Sequence, residues 1–389
     1  MSTLAESSLK SAGVSLENPA QLLNALLAQT EQADASDLHL APGRAPQLRV
    51  HGELQPVLQE NGDSSEPQAI ALSAESVEAI AVTLMNPGHQ RSLEERGSAD
   101  GACSSPSGSR FRFNIFRRQG GLAIVLRRLE DRFRTLAELG LPDDLYKLAE
   151  LQDGLVVVSG ATGSGKSTTL ATLLDKINRE RHCHIITIED PIEYVHVPKL
   201  AQINQRELYT NVPDFNEALV ASLRQDPDVI LVGEIRDLKT IRTAITAAET
   251  GHLVYTTVHA GDCVGTIERL VGVFPADEQD GIRRQISLVL RAILNQQLLP
   301  TVVRDGKKGR IATSEILINT PAVANLIALG KSSQIYSSME TGRSVGMQTL
   351  EQDIARLWTS GRINEQTAIA SCRNVPVMRE RAAMLRRGQ

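Results

Sequence analysis

Apolar residues follow two regimes along this chain. Before residue 130 they alternate over short runs, and after residue 154 they form unbroken apolar runs separated by stretches of helical spacing. In the later part, 155–159, 185–188, 229–232 and 253–257 read as buried strands, with helices over 167–178, 215–223 and 240–248 between them. Continuous apolar strands alternating with helices predict an α/β fold whose parallel sheet is covered on both faces. In the earlier part, Leu22, Leu23, Leu26 and Leu27 predict an amphipathic helix over 21–30. Short strands follow at 36–40 and 47–51 around the turn Pro42-Gly43-Arg44, then a helix over 72–85 with Ser73 as its N-cap. A strand pair, 110–116 and 122–129, turns at Gln119-Gly120-Gly121. Residues 97–109 are poor in apolar side chains and rich in turn formers, which predicts a surface loop with at most a weak edge strand. Beyond Pro275 the pattern is mostly helical. The expected organisation is a flexible start at 1–18, a small α+β domain at 19–131, a connection at 132–148, an α/β core at 149–275 and a mostly helical region at 276–389.

Composition narrows the class. An apolar fraction of 41% with 22% charged residues is that of a folded globular protein, and with aromatics at 3% the core must be built from aliphatic side chains. The net charge of −5 argues against a dedicated nucleic-acid binder. The four cysteines stand far apart with no metal spacing, so they read as reduced thiols. The opening residues lack a basic flank and an apolar core, and no apolar run approaches the roughly 18 residues of a membrane span. The expectation is a cytoplasmic protein that reaches a membrane only through a partner.

The chemistry begins at Gly160-Ala161-Thr162-Gly163-Ser164-Gly165-Lys166-Ser167-Thr168, which follows an apolar strand and opens a helix. This is the context a phosphate-binding loop needs. Its glycines let backbone N–H groups converge on phosphate, and the helix N-terminus adds partial positive charge there. Lys166 is expected on the β/γ-phosphates of ATP and the Ser167 hydroxyl on Mg²⁺.

Hydrolysis needs more than a cradle, since the metal, the attacking water and the developing charge must all be held. The strand 229–232 ends in Gly233-Glu234 with no Asp immediately before the acid, so Glu234 serves water activation or metal holding. A second strand ends in Glu189-Asp190-Pro191-Ile192-Glu193, and strand C-termini are where open α/β sheets place their sites, which favours Glu189. His252 and His259 flank the strand 253–257, with His259 at its end as a γ-phosphate sensor or water-orienting group.

Together these boxes resemble the secretion-type ATPases that power type IV pili, type II secretion and conjugation, and are most similar to the PilT/PilU-like pilus retraction ATPases. The matching stretches are 160–168 (Walker A), 188–193 (aspartate box), 228–237 (Walker B) and 251–260 (histidine box). Others are Ser36-Asp37-Leu38-His39-Leu40, Arg110-Phe111-Arg112-Phe113-Asn114, Phe274-Pro275 and Gly346-Met347-Gln348-Thr349-Leu350. The resemblance implies a RecA-like P-loop domain, an N-terminal PAS-like domain, a helical tail and a hexameric homo-oligomer. It implies retraction of a pilus through an inner-membrane platform protein and allows pairing with a paralogous retraction ATPase. The acidic balance and the lack of interleaved aromatic and basic residues argue against nucleic acid as a partner. It also implies that N-terminal arginines close over the nucleotide. Arg112 and Arg127 occupy the matching strands, with Arg110, Arg117, Arg118 and Arg128 as neighbours. Two departures stand out. Ala324 occupies the place of the family's arginine in the stretch Ala322-Val323-Ala324-Asn325-Leu326-Ile327, and the family's acidic strand is replaced by the Ser/Gly-rich segment 97–109. The zinc-binding tetracysteine of extension ATPases is absent. Rivals of the same chemistry are a secretion or conjugation ATPase and a weakly active accessory subunit.

Overall fold

The computed structural model describes residues 18–58, 69–129, 132–302 and 309–387. The expected flexible start, apart from Asn18, and Glu130-Asp131 at the edge of the expected connection lie outside the described residues. The chain divides into two compact units. One comprises Met1–Arg132 with Asp190–Val195 and Glu207–Asn211; the other comprises Phe133–Glu189, His196–Arg206 and Val212–Gln389.

In the first unit Asn18 is a helix cap, not part of a loose tail. Its side chain accepts the N–H groups of Ala20 and Gln21 at the start of α1 (Pro19–Gln32), where a proline loses no helical bond. Strands β1 (Asp37–Leu40), β2 (Gln47–Val50) and β3 (Glu53–Pro56) precede helices α2 (Ala74–Leu84) and α3 (Pro87–Arg96). Strands β4 (Ser98–Ser104), β5 (Arg110–Arg118) and β6 (Gly121–Arg128) complete an antiparallel sheet of order β3-β2-β1-β6-β5-β4. Alternation does what it predicts: Phe111, Phe113 and Ile115 on β5 are buried with α1 and α2 residues in one core, and the residues between them face the other way. Arg49, Asp37, Arg127 and Arg112 are successive register partners across four strands, so they share the polar face.

The segment expected as a surface loop with at most a weak edge strand holds an edge strand, β4, paired along its whole length with β5. Its lack of large apolar residues has a local cause. A Cβ on Gly101 would lie 2.5 Å from the Phe113 ring and 2.8 Å from that of His89, so neighbouring rings already fill the space beneath the strand. The stretches Asp190–Val195 and Glu207–Asn211 join this unit through Arg110, whose Nη2 donates to the Ile192 carbonyl and to Glu207 Oε2, both at 3.3 Å.

The second unit is built on β7 (Gly154–Ser159), β8 (His184–Glu189), β9 (Gln202–Glu207), β10 (Val229–Val232), β11 (Leu253–Val258), β12 (Leu290–Pro300) and β13 (Arg310–Ile318). Their order is β13-β12-β7-β11-β10-β8-β9. The run from β12 to β8 is parallel, and β13 returns antiparallel along β12. Every residue of β7, β10 and β11 is buried, which is why these strands read as unbroken apolar runs. The short helix α4 (Leu136–Leu139) sits in the stretch expected as a connection, yet Leu136, Leu141, Leu145 and Leu148 are part of this unit's core. Helices α5 (Lys166–Glu180), α6 (Phe215–Ser222), α7 (Leu238–Glu249), α8 (Cys263–Gly272) and α9 (Gln279–Val289) follow along the chain.

The expectation of helix beyond Pro275 is corrected over 290–318, where β12 and β13 extend the central sheet. Helices α10 (Pro321–Ala328), α11 (Ile335–Thr341), α12 (Leu350–Thr359), α13 (Glu365–Ser371) and α14 (Val375–Arg387) complete the chain. Residues of α12, α13 and α14 build a separate small core with Leu299 and Ile311. Among the described residues, no helix is long and apolar enough to cross a membrane.

Candidate active site

Strand β7 ends at Ser159, and the chain turns at once through Gly160 to Gly165 into α5. Gly160 adopts φ +143°, and a Cβ there would lie 2.3 Å from the Gln296 carbonyl and 2.7 Å from Ser164 Oγ. No other residue fits that approach. Gly165 caps α5, so the first helical turn, Lys166 to Thr168, presents the helix N-terminus to the loop. Lys166 is buried, and its Nζ donates to the carbonyls of Gly160 (3.1 Å) and Ala161 (3.0 Å), which places the ammonium within the loop. Ala161, Thr162, Gly163 and Ser167 are exposed, whereas Ser164 is buried.

The remaining groups arrive at the same sheet edge because parallel strands all end there. Strand β11 lies beside β7, and the residue after its end, His259, sets Nδ1 3.2 Å from the Gly160 carbonyl. Its Nε2 lies 3.2 Å from Glu234 Oε1. A neutral imidazole donates to only one of these acceptors, and an imidazolium to both. Glu234 follows the next strand, β10, and is fixed by Thr257, whose Oγ1 donates to the Gly233 carbonyl at 2.6 Å. The second carboxylate oxygen of Glu234 takes Arg236 Nη2 at 2.6 Å. Burial works to raise the Glu234 pKa, but the hydrogen bond and charge of Arg236, with His259 and Lys166 behind them, outweigh it and hold the carboxyl below its ordinary range. Glu234 is therefore an anion poised one strand from the phosphate loop's own strand neighbour, chemically suited to accept a proton or to hold a cation.

Glu189 ends β8, the strand beyond β10, so it shares the edge but stands farther from the loop. Its Oε1 accepts from Thr187 Oγ1 (2.6 Å) and from Gln205 Nε2 (3.1 Å). His252 is not brought into this site. It precedes β11 and lies at the opposite sheet edge, its carbonyl accepting from Gly154 N and its Nδ1 facing the Ala247 carbonyl at 2.9 Å. The six residues of β11 separate it from His259, a distance of roughly 20 Å at strand rise. Two histidines flanking one strand necessarily point to its two ends. Arg112 and Arg127 belong to the first unit, directly opposite one another in the β5–β6 ladder. Arg127 Nε donates to Asp37 Oδ1 at 2.7 Å, and Arg112 Nη2 lies 3.6 Å from Asp100 Oδ1.

Some contributors escaped the sequence reading. Gln296 on β12 donates through Nε2 to the Ser164 carbonyl (2.8 Å) and accepts from Thr169 Oγ1 (2.8 Å). Asn295 donates to Ser159 Oγ (3.0 Å) and to the Ala260 carbonyl (2.9 Å), tying β7 to the loop after His259. The available signal was the three consecutive amides, Asn295-Gln296-Gln297, between apolar residues. Arg236 was equally readable, two residues beyond Glu234. Gly160, Ala161, His259, Ala260, Gly261, Asn295 and Gln297 line a cleft of about 370 Å³ beside the phosphate loop.

A lysine enclosed by a glycine-rich turn between a parallel strand and a helix N-terminus, facing an ionised carboxylate two strands away, is how P-loop ATPases are built. The comparisons narrow that class. The family described as Type II/IV secretion system protein matches residues 15–374, and the chain belongs to it. It is 42% identical over 343 residues to the type IV pilus retractation ATPase PilT of Pseudomonas aeruginosa, covering 88% of this chain and 96% of that one. It is 44% identical over 330 residues to a twitching motility protein of Neisseria gonorrhoeae, covering 85% and 84%. A crystal structure of the pilus retraction motor PilT with bound ADP matches with a TM-score of 0.80 at 38% identity, covering 91% of this chain and 98% of that one. The second unit is thus a RecA-like core, and the protein is an ATP-binding ATPase.

Proposed function

We propose that this chain is an ATP-driven ring motor, assembled from six copies, that powers retraction of a type IV pilus. The observation that carries the reading is the extent of the likeness. Identity to a retraction ATPase runs over 88% of the chain, so it takes in the N-terminal unit and tail as well as the phosphate loop that many ATPases share. In this reading Lys166 grips the β/γ-phosphates and Glu234 takes a proton from the attacking water. His259 orients that water or senses the γ-phosphate, and Glu189 supports the polar edge. Arg112 and Arg127 supply charge from the first unit.

Mg²⁺ is the metal this donor set fits. Among the described residues no three His, Cys, Asp or Glu side chains cluster as a metal site. Mg²⁺ is usually held by one or two protein oxygens together with substrate phosphates and waters. Ser167 and Glu234 are the residues that would hold it, and its chemistry there is neutralisation of phosphate charge.

A pilus platform protein at the inner membrane is the partner this function requires, with the motor on the cytoplasmic side. Deleting the gene should leave cells whose pili extend and no longer retract; retraction at the parent frequency would reject the assignment. A second reading, an accessory motor that turns over slowly beside an active paralogue, is favoured by Ala324 on α10 in place of the family's arginine. Steady-state ATPase measurements on the pure protein separate the two.

A further inference from the structure

His259 and the catalytic cleft are reached from the far end of the chain through one side chain. The four residues between β11 and α8, His259 to Asp262, belong to neither element. Two backbone groups at the end of this loop are claimed by an ion pair whose carboxylate, Glu315, is buried and whose arginine, Arg373, is partly exposed. Arg373 Nη2 donates to the Gly261 carbonyl at 2.6 Å, while its Nη1 donates to Glu315 Oε2 at 2.6 Å. The other oxygen of Glu315 accepts Cys263 N–H at 2.8 Å. Glu315 sits on β13 and is 1% exposed, so removing the guanidinium beside it would leave a buried carboxyl without its ion-pair partner.

Arg373, between α13 and α14, is itself held by a second buried carboxylate. Glu351 Oε1 on α12 accepts the backbone N–H groups of Arg373 (3.1 Å) and Asn374 (3.2 Å), and its Oε2 accepts Tyr336 Oη at 2.8 Å. The C-terminal helices therefore fix the arginine's backbone, and its planar fork spans two acceptors at once. A lysine, a single point donor, would reach one of them well.

We propose that Arg373 is a positioning residue for ATP hydrolysis, whose grip on Glu315 and the Gly261 carbonyl sets the loop that presents His259 to Glu234. The inference rests on the catalytic reading of His259. Gly261 lines the cleft beside Gly160 and His259, so releasing its carbonyl lets the loop and its histidine drift from the position 3.2 Å from Glu234. Misplacement on this scale lowers the chemical step while leaving nucleotide binding to the intact phosphate loop.

The test measures steady-state turnover, KM and fluorescent-ADP affinity of the full chain with Mg-ATP, for single and double variants. Arg373→Ala is expected to lower kcat about ten- to a hundredfold, with ADP affinity within about twofold of the parent. Combined with His259→Ala, it should cause no further loss, because both changes remove one interaction. Arg373→Lys should restore the melting temperature, by keeping a cation on Glu315, without restoring kcat. If Arg373→Ala fails to fold, Arg373→Met with Glu315→Gln removes both charges together and is held to the same kcat expectation. Unchanged kcat, losses that multiply in the double variant, or full rescue by lysine would each overturn the inference. A parent-like His259→Ala would instead strike the reading of His259 itself, and the inference would fall with it.

Discussion

Thr169 and Gln296 are joined side chain to side chain, Oγ1 to Oε1 at 2.8 Å, beneath the phosphate loop. The same amide donates to the Ser164 carbonyl, so one residue of β12 braces both the loop and the first turns of α5. Replacing Gln296 with leucine keeps the bulk and strands two buried polar groups, at a cost of about 1–3 kcal/mol each. We expect a lower melting temperature and ADP binding weakened by roughly tenfold, as the lost order of the loop must be recovered on binding. Fluorescent-ADP titration checks this, and parent-like affinity would mean that the loop holds its shape without the amide.

Binding and chemistry should come apart at Lys166 and Glu234. Lys166 sits within the loop, so Lys166→Ala should abolish productive ATP binding. Glu234→Gln keeps the shape and can keep one contact each to His259 and Arg236, but an amide does not take up a proton. ATP should still bind to this variant while turnover drops by about a thousandfold or more, the scale of loss found when a group acting in the transition state is removed. Single-turnover assays with labelled ATP distinguish retained binding from retained hydrolysis. Parent-rate hydrolysis by Glu234→Gln would move the base elsewhere.

These two groups also mark what the sequence could reveal. Strand β10 coincides with the apolar run 229–232 because a fully buried strand leaves no polar position to blur its ends. The phosphate loop was legible because its glycines, lysine and flanking elements are contiguous. Strand β12 was not, since Asn295, Gln296 and Gln297 interrupt its apolar run, and the first two are buried against the end of β7 and the phosphate loop, more than 130 residues away in sequence. Arg373 was hidden for the same reason: Gly261 lies 112 residues from it. Periodicity reports which face of an element is buried, and says nothing of which distant polar group it meets there. His252 shows the converse: it stands next to the same strand in sequence as His259, but at the end away from the phosphate loop.

His196 offers a test of pH dependence. It is 6% exposed, packs on Phe133 with ring centroids 4.7 Å apart, and burial pushes its pKa down from 6.5 to about 4. Asp175 opposes that shift and Lys199 reinforces it. The folded state thus keeps the ring neutral where the unfolded chain takes up a proton. Below pH 6.5 the unfolded state binds more protons, so stability falls with pH until the folded-state ring also titrates near 4. The loss from this residue is on the order of 3 kcal/mol across that window. His196→Gln should flatten the fall by about one proton's worth of slope. Urea unfolding at several pH values measures it, and equal slopes for parent and variant would count against the assignment.

The final expectation concerns Arg112 and Arg127, which share a register position but differ in how they are held. Arg127 grips Asp37, whose side chain is 5% exposed, whereas the Arg112–Asp100 pair is 3.6 Å apart and more than 40% exposed on both sides. Burial tends to raise the Asp37 pKa, but hydrogen bonds from Ser36 and Arg127, with the charge of Arg127, hold it below its ordinary range. Removing Arg127 therefore leaves a buried carboxylate with a weaker set of partners, and Arg127→Ala should cost about 1–3 kcal/mol of stability. Arg112→Ala should cost less than about 1 kcal/mol, since exposed pairs contribute little. The two variants are thus unequal probes of the same hypothesis. If guanidinium groups from this sheet neutralise the γ-phosphate, Arg112→Ala should lose turnover and the preference for ATP over ADP while melting as the parent does. Charge stabilisation of this kind is worth about 10³-fold or more in other P-loop enzymes. For Arg127, the loss of turnover must be separated from loss of fold, and Asp37→Asn supplies the control. It removes the carboxylate charge while leaving the arginine, so it should lower stability without abolishing hydrolysis. Measuring melting temperature, ATP and ADP affinities and kcat on all three variants decides between roles. Normal turnover in both arginine variants would reduce the pair to surface charges of the sheet. A loss confined to Arg127→Ala that tracks its melting temperature would make that arginine a clamp for Asp37 alone.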